Sequence, residues 1–271
     1  MWVYTSMYQE VIDAMDAPIE AATGARVEWF QAGSEKVAQR WEAEHEAGGS
    51  RACVLATSDP LWYVDLAARG QLAAYVSPRA LDLPRAWATP HYAAFRVSEM
   101  TIASAGEAPP GFRALADPAW KDRFSTPDPL SSGTTFTALS VLEARLGADW
   151  ATALKANGWV AAGGNSAVLA RMESGEKPVG MILRENLKET VKERVPEEGA
   201  IPVPGFAAIP TACASKEAAE RVVDWFLGEE GQAAIVHARM ASPFGYEGAV
   251  AMEALAEGAE ERRARLQEIL R

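Results

Sequence analysis

The first seventy residues alternate between short apolar runs and amphipathic stretches, and this alternation is the strongest constraint on the fold. Short apolar runs typical of strands occur at Val3-Tyr4, 26–30 and 52–56. Between them, apolar residues recur at helical spacing over 8–22 and 34–47. A strand–helix order repeated in this way predicts an α/β protein with a mainly parallel sheet flanked by helices.

Two long extended stretches, 92–103 and 199–209, bracket a second region of the same α/β kind. This order predicts two lobes, because the middle of the chain then forms an insertion. Residues 1–98 with 204–271 form the first lobe, and 99–203 form the second. We expect a hinge at the two extended crossings and a ligand cleft between the lobes, where α/β proteins commonly bind ligands.

Composition excludes several classes of protein. Lysine and arginine number 26 against 37 acidic residues, so the net charge of −11 argues against a nucleic-acid partner. The sequence contains no run of about 18 apolar residues that would predict a membrane span. It also opens without a signal-peptide pattern, which leaves two possibilities, a cytosolic protein or one whose leader has been removed. Cys53 and Cys213 leave two possibilities open, a disulfide across the fold or two buried free thiols.

Enzyme signatures are missing. The sequence has no GxxxxGK[ST], GxGxxG, GxSxG or HExxH pattern. The three histidines, His45, His91 and His237, lack the paired spacing of a zinc site. We therefore predict no catalytic residue, no metal ligand and no cofactor. The alternative is an enzyme built on an α/β scaffold, and turnover of a bound ligand would support that alternative.

Small polar residues stand at several expected helix starts, and the strongest example is Ser132-Gly133-Thr134. Such a start presents backbone N–H groups and the positive end of the helix dipole, which together suit an anion. Ordinary N-capping by Ser or Thr is common and, for this segment alone, is the favoured interpretation. Similar starts occur in both expected lobes, at Ser6, Ser34 (an expected N-cap), Ser58, Asp59 and Asn165.

The order and spacing of several short segments carry a resemblance to a known family. These are Val3–Ser6, Ala56–Pro60, Ser132–Thr134, Asn165-Ser166 with Gly175–Gly180, 196–200, and 218–227 with Gly231-Gln232. Together they resemble the class II periplasmic solute-binding proteins of ABC importers, in the branch that binds ferric iron, phosphonates and hexose phosphates.

The resemblance implies a type II periplasmic-binding fold, a ligand-driven hinge closure and delivery of the solute to an ABC permease. It further implies a periplasmic monomer, whose leader would be absent from this sequence. A sensor that reports to a membrane receptor is an alternative, because the binding module of a sensor has the same features.

The resemblance also restricts the chemical class of the ligand. In ferric-binding members, a Ser-Gly helix start and a later Asn hold an anion beside the iron, and these positions match Ser132, Gly133, Thr134 and Asn165. Those members bind iron through two tyrosines after the strand that matches 179–183, where this chain has Arg184-Glu185-Asn186. Without phenolates, ferric iron lacks its expected ligands, so the resemblance implies an organophosphate or phosphonate.

The remaining candidate ligand contacts follow from the same comparison. From the first lobe we expect Ser6, Ser34, Ser58 and Asp59 to contribute. Glu185 is expected to accept hydrogen bonds from hydroxyls or an amine, and Arg184 to pair with an anion, unless both belong to a solvent-exposed helix start. Ferric iron with a bound anion, thiamine and a polyamine are the alternative ligands.

Overall fold

The computed structural model describes all 271 residues, which form two compact units. Unit 1 comprises Met1–Val97 and Pro204–Ala256, and unit 2 comprises Ser98–Val203 and Glu257–Arg271. The predicted division differs from these units mainly at the C-terminus, because residues 257–271 were expected in the first lobe.

Nine strands and ten α-helices make up the two units. The strands are β1 (Trp2–Thr5), β2 (Glu28–Gln31), β3 (Ala52–Thr57), β4 (Ala93–Ser104), β5 (Phe124–Thr126), β6 (Val160–Ala161), β7 (Val179–Leu183), β8 (Lys192–Arg194) and β9 (Ile201–Ala208). The helices are α1 (Gln9–Thr23), α2 (Ser34–Glu46), α3 (Pro60–Ala68), α4 (Gly133–Leu146), α5 (Asp149–Ala156), α6 (Asn165–Ser174), α7 (Lys216–Leu227), α8 (Glu229–His237), α9 (Met252–Ala256) and α10 (Ala259–Leu270).

Unit 1 contains the strand order β2-β1-β3-β9-β4. The first three strands are parallel, as the strand–helix alternation predicts, and β9 pairs antiparallel with β3. All six residues of β3 are buried, and α1 packs against α7 and α8. The core of this unit joins residues from both ends of the chain, among them Val54 and Phe226.

Unit 2 contains the order β4-β7-β5-β6. Strand β5 runs parallel to both β6 and β7, whereas β4 is antiparallel to β7 and also pairs with β8. Helix α6 approaches β7 closely at Gly180, where an added Cβ would lie 2.6 Å from Val168 Cγ1. Helix α10 packs against α5 and α4. The carboxyl ends of the three parallel strands therefore meet at one edge of the sheet.

A disulfide between Cys53 and Cys213 resolves the alternatives that the sequence left open. Cys53 lies in β3 and Cys213 precedes α7, so the bond joins the two separate chain segments of unit 1. Both residues are buried in the core of that unit.

Two local predictions differ from the structure. Ser34 is the first residue of α2 and Gly33 is the N-cap, so Ser34 does not cap the helix. The stretch 247–270 is rich in Ala, Glu and Arg, which predicts one closing helix, but it forms two helices, α9 and α10. They are separated at Gly258, whose φ of +73° ends the regular helical path. None of the helices combines the length and the apolar character needed to cross a membrane.

Candidate functional site

In unit 1, polar residues follow the neighbouring parallel strands β1 and β3. The backbone N–H of Ser6 donates to the carbonyl of Ala56 at 3.2 Å, and the N–H of Ser58 donates to Ser6 Oγ at 3.1 Å. The two strands end side by side, which is why serines 52 positions apart in sequence contact each other. Parallel pairing of β1 and β3 therefore brings these two helix starts to one edge of the sheet.

A buried arginine lies against these serines. Arg96 on β4 is only 3% exposed, and its guanidinium donates to the hydroxyls of Ser6 (3.4 Å) and Ser58. Its stem lies against Gly205, where an added Cβ would lie 2.8 Å from Cγ of Arg96. We call Ser6, Ser58, Asp59 and Arg96 the unit 1 polar cluster.

Asp59 and Ser34, the other two expected contacts in this unit, are both buried. Asp59 is the N-cap of α3 and does not accept a capping hydrogen bond through its side chain. Nearby, the hydroxyl of Tyr63 accepts from the N–H of Thr57 at 2.8 Å, and burial raises the pKa of Tyr63 so that the phenol stays neutral. Ser34 is not among the hydroxyls that contact Arg96.

In unit 2, the expected contacts follow three adjacent parallel strands. Ser132, Gly133 and Thr134 come after β5, Asn165 follows β6, and Arg184 with Glu185 follows β7. Backbone hydrogen bonds hold these loops together, from Asp128 N–H to the carbonyl of Gly163 (2.9 Å) and from Ala162 N–H to the carbonyl of Thr126 (3.2 Å). Asn165 Oδ1 accepts from the N–H of Leu183 at 3.4 Å, which links α6 to the end of β7.

The start of α4 has the geometry of a capped helix. Ser132 Oγ accepts from the N–H of Thr135 at 3.2 Å and from its hydroxyl at 3.0 Å. Gly133 and Thr134 are buried in the first turn. The N–H groups of a first turn have no carbonyl partners within their own helix, so capping by Ser132 and an affinity for anions are compatible here.

Arg184 and Glu185 are held by neighbouring side chains of unit 2. The guanidinium of Arg184 donates to Glu193 at 2.9 Å and pairs with Glu99. Burial lowers the pKa of Arg184, and the two carboxylates more than offset this, so that its pKa is raised. Glu185 Oε1 accepts from Ser98 Oγ at 2.7 Å. Arg184 thus pairs with two carboxylates of its own unit, and its expected pairing with an anion stays a prediction.

Arg96 was missed by the sequence reasoning. A signal for it does exist, since it is the only basic residue in the long apolar run of β4. A charge buried in a strand is costly unless it is hydrogen-bonded or paired, so its presence there indicates a specific role.

Metal-binding groups are scarce. The structure brings together no group of three or more histidine, cysteine, aspartate or glutamate side chains. All six tyrosines lie in unit 1, and Tyr4, Tyr75 and Tyr92 each donate to a carboxylate there.

Comparisons with known proteins agree with one another on the fold. A family model described as bacterial extracellular solute-binding protein matches residues 2–238. Among solved structures, the substrate-binding protein of an ABC transporter from Agrobacterium tumefaciens is 17% identical, with a TM-score of 0.84 over 100% of this chain and 94% of that chain. A ferric-binding protein from Campylobacter jejuni is 16% identical, with a TM-score of 0.86 over 99% of both chains.

A third structure is the periplasmic binding protein AfuA from Actinobacillus pleuropneumoniae with exogenous fructose-6-phosphate bound. It is 20% identical, with a TM-score of 0.81 over 99% of this chain and 96% of that chain. A comparison with curated protein sequences gave no match. The predicted type II periplasmic-binding fold is confirmed by these structural neighbours.

Proposed function

This chain belongs to the bacterial extracellular solute-binding proteins, and from that premise we propose that it captures a small anionic solute, an organophosphate or a phosphonate. It binds the solute without chemical turnover and delivers it to an ABC permease. Each unit has its own proposed ligand contacts: the polar cluster in unit 1, and Ser132, Gly133, Thr134 and Asn165 in unit 2.

The observation that carries this proposal is the buried guanidinium of Arg96 among the hydroxyls of Ser6 and Ser58. A guanidinium stays charged at all physiological pH values, and its planar fork matches the oxygens of a phosphate or phosphonate. The serine hydroxyls accept from the arginine and are themselves able to donate to a ligand oxygen. Local groups of this kind attract an anion even though the whole chain carries a net charge of −11.

In unit 2 the hydrogen-bond donors are backbone N–H groups. The first turn of α4 presents backbone N–H groups next to the buried Thr134, and a helix N-terminus attracts negative charge. The fructose-6-phosphate bound to AfuA is a ligand of the class that we propose here.

The disulfide favours a compartment outside the cytoplasm. Cys53 and Cys213 are bonded, and such bonds persist mainly in oxidising compartments such as the periplasm. We therefore place the protein in the periplasm, as a monomer that serves a permease or, alternatively, a membrane receptor. Hinge closure at 92–103 and 199–209 stays a prediction, and the chain does pass between the units within β4 and β9.

The binding experiment is isothermal calorimetry at fixed ionic strength with inorganic phosphate, fructose 6-phosphate, phosphoglycerate, 2-aminoethylphosphonate, thiamine, spermidine and ferric citrate. We expect saturable binding of at least one phosphate or phosphonate, which is recovered chemically unchanged. Binding of ferric citrate alone would favour the iron alternative, and binding of thiamine or spermidine alone would contradict the anion proposal.

Arg96 is then tested with matched variants. Arg96→Gln removes the charge and is expected to weaken binding of the phosphorylated ligand, whereas Arg96→Lys keeps the charge and part of the affinity. Hydrogen bonds to charged groups contribute about 1.5–3 kcal/mol, which corresponds to roughly a ten- to hundredfold loss. Arg79→Gln is the control, because Arg79 is exposed in the same unit. If Arg96→Gln lowers the melting temperature but leaves the affinity unchanged, Arg96 is structural and the proposal fails.

A further inference from the structure

The C-terminal part of the chain is fixed to unit 1 up to the end of α9. Trp87 Nε1 donates to the carbonyl of Val250 at 3.0 Å, and the Tyr92 hydroxyl donates to Glu253 at 2.8 Å. Met252 and Leu255 are buried, and α9 packs on α3. These contacts give α9 both a polar and an apolar attachment to unit 1.

Helix α10 is fixed to unit 2 by apolar, ionic and cation–aromatic contacts. Leu266 is 3% exposed, Arg265 pairs with Glu143 of α4, and the guanidinium of Arg263 lies over the ring of Phe136, 4.4 Å from its centre. A cation over the face of an aromatic ring is attracted to it electrostatically. The helix is therefore docked on α4 and α5.

Only Glu257 and Gly258 connect these two attachments. The guanidinium of Arg262 donates to the carbonyls of both residues at 3.3 Å, which stiffens the joint. Three Cα–Cα steps separate Ala256 from Ala259, so these two Cα atoms cannot be more than about 11 Å apart.

The other two passages between the units lie in β4 and β9, which are neighbours in the sheet. Two adjacent strands can act together as one hinge, because small changes in a few backbone angles rotate everything beyond them. A third, short connection elsewhere in the chain restricts such a rotation. We propose that α10 is a strap, held by the Glu257-Gly258 joint, that limits how far the two units move relative to each other.

This inference goes beyond ligand binding and is tested on the protein without any ligand. Eight glycine and serine residues are inserted after Gly258 to lengthen the strap. The matched control carries the same insertion after Gly248, an exposed glycine in a loop of unit 1. Small-angle X-ray scattering compares the radius of gyration and the distance distribution of both variants with those of the unmodified chain.

We expect the lengthened strap to raise the radius of gyration and to broaden the distance distribution, while the control matches the unmodified chain after allowance for its added residues. Equal scattering from the two insertion variants would overturn the proposal. Far-UV circular dichroism and thermal unfolding check that both variants are folded.

A second pair of variants releases the strap without changing its length. Leu266→Glu removes the apolar anchor of α10, and Gln267→Glu adds the same charge at the neighbouring exposed position. Amide hydrogen exchange over 259–270 is expected to speed up only in Leu266→Glu, together with the broader scattering. Fast exchange of α10 with unchanged scattering would show that the helix restrains nothing.

Discussion

Removal of the Cys53–Cys213 disulfide is expected to destabilise unit 1 strongly. The bond joins residues 160 positions apart, and loop-closure entropy for a loop of that length stabilises the folded state by about 5 kcal/mol at 25 °C. This is as large as the entire stability of some domains. The alanine variant Cys53→Ala/Cys213→Ala is suited to the test, because alanine places no polar group in the buried site.

Urea unfolding and calorimetry measure the effect on the oxidised protein and on the double alanine variant. With a melting-temperature change of about 2–4 °C per kcal/mol for a domain of this size, the expected decrease is roughly 10–20 °C. A thiol-free reductant should reproduce the decrease in the unmodified chain and change nothing in the variant, which contains no disulfide.

Amide hydrogen exchange locates the loss. Because both cysteines belong to unit 1, protection should fall in β1, β3 and α7 and stay unchanged over residues 124–183 of unit 2. A stability difference below about 1 kcal/mol would refute the reasoning from loop closure.

Three further variants test local features. Gly205→Ala places a Cβ 2.8 Å from Cγ of Arg96, so we expect the protein to lose about 1–3 kcal/mol of stability. Calorimetry should also show weaker phosphate binding. Gly106→Ala is the control and should change neither property, because the space around Gly106 is open. Ser132→Ala removes the N-cap of α4 and should lower the unfolding free energy by about 0.5–2 kcal/mol; an unchanged urea midpoint would contradict the capping assignment. For Tyr92, burial and then its hydrogen bond to a carboxylate raise the pKa. The contribution of the neutral phenol to stability is therefore complete below pH ~10, the ordinary phenol value, and is lost as the pH rises further. Above pH ~10 the melting temperature of Tyr92→Phe should fall less than that of the unmodified chain, and parallel pH profiles of the two proteins would contradict this expectation.

The sequence predicted the features that depend on local pattern. The strand at 179–183 and the parallel order of the first three strands are as expected, because apolar runs of that length between helices have few other solutions. The contact between Ser6 and Ser58 depends on the pairing of β1 with β3, which the sequence did not predict, since adjacent parallel strands end at one edge.

The features that were missed depend on contacts between distant parts of the chain. The apolar run of β4 marks Arg96 as unusual, but its hydroxyl partners lie 38 and 90 residues away in sequence, so the sequence does not identify them. The attachment of α10 to unit 2 is likewise set by Glu143 and Phe136 of α4, far from the helix itself. The pairing of Arg184 with Glu99 and Glu193 was likewise missed, because these partners come together only in the folded sheet.

The position of β9 between β3 and β4 has a consequence for the order in which the chain folds. During synthesis, β1, β2 and β3 emerge long before residues 201–208, and until β9 arrives one edge of β3 has no partner strand. An unpaired edge of a fully buried, apolar strand is a template for aggregation. Unit 1 therefore has to wait, incomplete, for nearly all of unit 2 to be made, and a chain that pauses before residue 201 is expected to need a chaperone to keep that edge covered.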